Sequence, residues 1–135
     1  MVAALATCLS LSFVSSSSAQ SSVTAVHSDK LIERYRAYIG KSDLFNSSGV
    51  RLTQPWQIIR QDRANFYVYG RRDKADEADE FFADKGNREA LENMLRNGRM
   101  TSEAATMIVN GDVWIDVGIY GSGATGRWID VTVSD

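Results

Sequence analysis

Cysteine, histidine and proline each occur only once in the 135 residues of this chain. A single cysteine, Cys8, leaves no partner for an internal disulfide, so stability has to come from packing. The lone histidine, His27, precedes the patterned part of the chain. Cys/His zinc centres, Ser-His-Asp triads and Cys-His dyads therefore cannot be assembled. No metal or cofactor is expected.

Charge is missing as well, but only locally. All 17 acidic and 15 basic residues lie from Asp29 onward, and the net charge is −2. A near-neutral domain has no general field to draw it onto nucleic acid or an anionic membrane. The uncharged stretch 1–19, MVAALATCLSLSFVSSSSA, reads as a signal peptide. Its apolar run from Val2 to Val14 is too short for a stable membrane span, and Ser17-x-Ala19 before Gln20 suits a peptidase that accepts small side chains. Val23-x-Ala25 is a second small-residue site. Leu5-Ala6-Thr7-Cys8 is a loose lipobox, disfavoured by Thr before the cysteine and by the apolar residues that continue past it. The expected organisation is a signal peptide at 1–19, a polar tether at 20–28 and a single α+β domain at 29–135. About 110 residues suffice for one core. Export without disulfides points to a bacterial periplasm or exterior.

Periodicity supplies the elements. Leu31, Ile32, Tyr35, Tyr38 and Ile39 recur at helical spacing, with Ser28 as N-cap and Gly40 as stop, and predict an amphipathic helix. Val50 to Thr53 predicts a short strand. Pro55 suits the first turn of a helix running to about Ala64, while Phe66 to Tyr69 is β-prone and ends at Gly70. Asp76 to Ala83 is expected to form one or two helical turns. A helix capped by Asn87 runs to Gly98, and another covers Ser102 to Val109 before Asn110-Gly111, a dipeptide that also suits a hairpin. Strict alternation in Val113, Ile115, Val117, Ile119 and again in Ile129, Val131, Val133 predicts two antiparallel strands. Opposing Val117 to Val131 sets Gly118 against Asp130 and Tyr120 against Trp128, and avoids facing Asp116 with Asp130. The fold class is a small α+β domain, helices packed on an antiparallel sheet that ends in a C-terminal hairpin.

Three patterns bear on function. Gly121-Ser122-Gly123-Ala124-Thr125-Gly126 satisfies GxGxxG, yet a strand rather than a helix follows it, so the pyrophosphate has no helix N-terminus to bind and the segment reads as a hairpin loop. Asp73, Asp76, Glu77, Asp79, Glu80 and Asp84 form an acidic run lacking the EF-hand spacing; pairing with Arg60, Arg63, Arg71 and Arg72 is the simpler reading. Arg60, Asp62, Arg63, Asn65, Tyr67 and Tyr69, flanked by Trp56 and Phe66, combine guanidinium, carboxylate, amide and aromatic groups. They suit either an anionic or sugar ligand or a buried polar network, and the network is favoured. Trp114 and Trp128, with Tyr120, share one face of the hairpin. They form a stacking platform if that face is open and core if a helix covers it, the covered arrangement being the expected one. No residue qualifies as catalytic. The reading is an exported bacterial, non-catalytic binding or interaction module for an envelope component or a protein. The alternatives are a carboxylate-dependent hydrolase of an envelope polysaccharide and a calcium-stabilised structural protein.

Overall fold

A computed structural model describes residues 28–135; the expected signal peptide and nearly all of the tether, with Cys8 and His27, lie outside the described residues. The C-terminal alternation produces two ten-residue strands, β2 (Val113–Ser122) and β3 (Thr125–Ser134). Their register is the one that the aliphatic face dictates: Val117 opposes Val131, Gly118 opposes Asp130 and Tyr120 opposes Trp128, while Asp116 faces Thr132. Gly123 and Ala124 alone join the strands. Gly123 takes φ +59°, the left-handed first position of a two-residue hairpin turn.

The segment expected to be the first helix is a strand, β1 (Lys30–Ile39), antiparallel to β2 in a three-stranded sheet ordered β1-β2-β3. The helical spacing is an artefact of a bulge. Ile32 is the extra residue between Leu31 and Glu33, so the alternation is broken there, whereas Tyr35, Ala37 and Ile39 alternate cleanly into the core. Aromatic and β-branched residues suit the pleated surface, and β2 gains its second partner.

Between β1 and β2 the chain folds as a 3-10 turn at Lys41–Leu44 and four helices, α1 (Pro55–Tyr67), α2 (Lys85–Glu89), α3 (Leu91–Arg96) and α4 (Ser102–Asn110). Pro55 opens α1 as expected, but the helix runs past Ala64 and absorbs Phe66 and Tyr67 instead of giving way to a strand. Burial of Phe66 on the core side decides this. Val50 to Thr53 makes only an isolated bridge, Phe45 with Arg51. The helix expected from Asn87 is two short ones, and its cap is Asp84, whose carboxylate accepts from the Asn87 amide at 2.9 Å. Thr101 caps α4 through the Ala104 amide at 3.1 Å. Gly111, at φ +77°, ends α4, so Asn110-Gly111 is a helix stop.

Asp76 to Ala83 is not two helical turns. It forms an extended strap that follows the free side of β1 and turns only at residues 81–83. Glu77 donates its amide to the Arg36 carbonyl at 2.8 Å, and its carboxylate accepts from the Arg36 amide at 2.9 Å. Asp76 accepts from the Tyr38 amide at 2.8 Å, and Glu33 accepts from the amides of Glu80 and Phe81. The acidic run thus consists largely of acceptors for main-chain N–H groups.

Helices lie on one face of the sheet. Tyr35, Ala37, Ile39, Ile115, Val117, Ile119, Ile129 and Val131 meet Ile58, Ile59, Phe82, Leu91, Met94 and Ile108 there. Burial of this apolar area is the main source of stability. Among the described residues no helix is long and apolar enough to cross a membrane.

Candidate functional site

Helix α1 distributes its polar residues in two directions, and this separates the cluster read from the sequence. Asp62, Arg63 and Asn65 face inward and are buried. Arg63, with no solvent exposure, donates from Nε to Asp62 at 2.7 Å and from Nη1 to Asp79 at 3.0 Å and to the Glu77 carbonyl at 2.9 Å. Its guanidinium lies 4.3 Å from the Tyr35 ring centre and 4.7 Å from that of Phe66. Burial opposes the charge of Arg63, but the surrounding Tyr35, Asp62 and Asp79 outweigh it and keep the group protonated. Burial pushes the Asp62 carboxyl up to about 7 against the pull of Arg63. Tyr67, half-buried, accepts from the Asp79 amide at 2.6 Å and donates back to the Asp79 carbonyl.

This network ties α1 to the strap, and both carboxylates beside Arg63 are shielded from solvent. Hydrolysis needs two carboxylates open to substrate at a fixed separation, which this pair does not offer. Asn65 donates to Asp43 at 2.8 Å and accepts from Gln61 at 2.9 Å, so it is fully engaged. Desolvation raises Asp43 to about 6, opposed by its hydrogen bonds from Asn65 and the Gly40 amide. Among the described residues no group of three His, Cys, Asp or Glu side chains is placed to hold a metal ion.

Trp114 and Trp128 lie on the outer face of the sheet, which the helices leave uncovered; the expected burial under a helix does not occur. Tyr38, Trp114, Tyr120 and Trp128 are half-buried there by contact with one another. Tyr120 and Trp128 stack at 4.0 Å with an interplanar angle of 4°. Tyr38 meets Trp114 edge-on at 5.2 Å. Guanidinium groups complete the layer: Arg36 lies 4.7 Å from the Trp114 ring centre and Arg99 5.2 Å from that of Trp128. Gly118 makes room for Tyr120, since a Cβ at this position would stand 2.9 Å from its Cε2.

Trp56 and Arg60, on the other side of α1, line a groove together with Asn65 and Tyr69 of the sequence-read cluster and with loop residues outside it. Two cavities of about 370 and 330 Å³ adjoin there, with Asn46, Gln61 and Tyr69 lining both. Phe45, Asn65 and Arg71 border one half, Trp56, Gln57 and Arg60 the other. Three separate segments build it, which is why its residues on α1 and just after it were legible as a cluster and Phe45 and Asn46 were not. Asn46 accepts from the Ser48 and Val50 amides at 3.0 and 2.9 Å and shapes the loop.

The structure therefore brings Asp62, Arg63 and Tyr67 together through Asp79, Asn65 to the buried edge of the groove that Trp56 and Arg60 also line, and Trp114 with Trp128 on the sheet. No protein-family model, curated protein or solved structure matches this chain.

Proposed function

We infer that the chain is an exported, non-catalytic interaction module that recognises a partner protein through the outer face of its sheet. The observation that carries this is the layer of Tyr38, Trp114, Tyr120 and Trp128 interleaved with Arg34, Arg36 and Arg99, which no helix among the described residues covers. Tyr, Trp and Arg are the side chains that dominate binding energy at protein interfaces, and Lys and Glu, which interfaces avoid, are missing from this set. The rings also discriminate between partners. A sugar needs a free ring face to stack on, whereas here ring faces are turned onto one another or onto guanidinium groups. Edges, guanidinium N–H groups and the Asp130 carboxylate remain, with Asp116 beside Arg36 at 3.9 Å, a mixture suited to a polypeptide carrying both charge signs. Export rests on the uncharged leader and its small-residue cleavage site.

A photo-cross-linking residue at Thr132, exposed on this face, tests the reading against one at Thr106, exposed on α4. In cells of the source organism the Thr132 probe should yield a discrete protein adduct that disappears when Arg34 and Arg36 are both changed to Ala, and Thr106 should yield none. Equal adducts from both positions, or none at Thr132, would reject the sheet face as the interface.

A further inference from the structure

We propose that the groove beside α1 is a second binding site, independent of the sheet face, and that its ligand is a carboxylated sugar. Three observations point to one chemistry.

The first is a free aromatic surface. Tyr69 is 51% exposed and Phe45 42% exposed, unusual for such large side chains, and both border the groove. Arg51 lies 5.7 Å from the Phe45 ring centre, but neither an aromatic ring nor a guanidinium stacks on Tyr69 among the described residues. A sugar ring presents C–H groups that pack on such a face.

The second is a set of oriented amides with one end already fixed. Gln57 Oε1 accepts from the amides of Thr53 and Gln54 at 3.3 and 3.2 Å. Asn46 Oδ1 is similarly held by two main-chain amides. Each side chain is thereby locked with its NH₂ group left to donate. Gln61 is locked the opposite way, its NH₂ bonded to Asn65 and its oxygen left to accept. Donors and acceptors fixed in advance suit hydroxyl groups, which both donate and accept, and little rotamer freedom is lost on binding.

The third is uncompensated positive charge. Arg60 and Arg71 line the two halves, no Asp, Glu or Lys does, and neither arginine has a carboxylate within ion-pair distance among the described residues. Four arginines elsewhere, Arg36, Arg63, Arg96 and Arg127, do lie within ion-pair distance of a carboxylate. An arginine fork binds a carboxylate through two parallel hydrogen bonds, so the ligand that completes this groove carries one.

The test is a titration followed by NMR, reading the side-chain NH₂ signals of Asn46 and Gln57. The probes are glucuronic acid and N-acetylmuramic acid, their neutral counterparts glucose and N-acetylglucosamine, and inorganic phosphate as a charge-only control. At least one acidic sugar should shift both signals saturably, and its neutral counterpart should bind at least about tenfold more weakly, the difference expected of a charge-assisted arginine contact. Whichever acid binds more tightly separates a uronic acid from a lactyl amino sugar. Changing Arg60 and Arg71 together to Gln should reduce the acid preference to within about twofold, and Tyr69→Ala should weaken acidic and neutral sugars alike. Arg60→Gln alone serves if the double variant fails to give a dispersed amide spectrum. Equal binding of acidic and neutral sugars, phosphate binding as tightly as the acids, or no saturable shift at these amides would overturn the proposal. The Thr132 cross-link is unaffected by any of these outcomes.

Discussion

Replacing Arg63 by Ala removes the one cation that two buried carboxylates share. Nε and Nη1 bind Asp62 and Asp79 at 2.7 and 3.0 Å, and Nη1 also satisfies the Glu77 carbonyl. Breaking a buried ion pair from one side costs about 3–5 kcal/mol, because the remaining charge is left without compensation. Losing the Tyr35 and Phe66 ring contacts and leaving a cavity add to this, so the variant should forfeit at least about 4 kcal/mol of a stability that for a domain is about 5–15. Arg99 provides the comparison. Its side chain is exposed over Trp128, and its ties to β3 run through its main chain, which Ala preserves. Arg99→Ala should cost about 1 kcal/mol or less.

The loss at Arg63 should depend on pH in a defined direction. Without the guanidinium, the folded-state pKa of Asp62 rises further above the unfolded value than the about 7 it has beside Arg63. A carboxyl raised on folding binds its proton more tightly in the folded state, so its ionisation penalty is absent below the unfolded pKa and grows as pH rises through the window up to the folded pKa. Arg63→Ala should therefore be less damaging at pH 5 than at pH 8. Urea unfolding of both variants at the two pH values measures this. Stabilities of the two variants within about 0.5 kcal/mol of each other, or an Arg63→Ala loss identical at both pH values, would refute the reasoning.

Other substitutions test other parts of the structure. Gly121→Ala would place Cβ 2.0 Å from the Thr125 carbonyl oxygen, whereas at Gly123 the space is open and only the positive φ opposes a side chain. Thermal unfolding should show the Gly121 change costing over about 2 kcal/mol and the Gly123 change about 1. Ser122→Ala and Thr125→Ala should be nearly silent, and titration with NAD or ATP should reveal no saturable binding at this loop. Burial raises Asp43 to about 6 and Asp62 to about 7, so both should cost stability as pH rises from about 4 to 6, and Asp43→Asn should lessen, without abolishing, that slope of the pH profile in denaturant melts. Intact-mass measurement of exported protein should give a chain beginning at Gln20 without an acyl group; acylated Cys8 at the N-terminus would contradict this.

The hairpin was legible because two signals agreed: aliphatic alternation set the faces, and the charges of Asp116 and Asp130 chose the register. β1 was not, because a single extra residue, Ile32, imitates the helical period over the few positions available, and the strand's identity is decided by β2 as its neighbour. Helix α1 was legible from Pro55 onward, yet its end was not, since Phe66 and Tyr67 have β propensity that burial against the core overrides. The polar cluster could be found from the mixture of residue types along α1. Its division could not: the rotation of α1 sends Arg60 outward and Arg63 inward, and their surroundings come in part from Asp79 on the strap and Asn46 on a loop, both at a distance in sequence.

The strap has a consequence for association. A bare strand edge offers its N–H and C=O groups to any incoming strand, and long bare edges are where sheets polymerise. An intruder approaching β1 finds the amides of Arg36 and Tyr38 already bonded to Glu77 and Asp76. At the middle of β3 it meets Arg99, whose amide and carbonyl occupy the Ile129 carbonyl and Val131 amide. Both borders of the sheet are thereby occupied at their middle. Deletion of residues 76–80 should bare the β1 edge and raise the chain's tendency to form cross-β fibrils, read by an amyloid-binding dye.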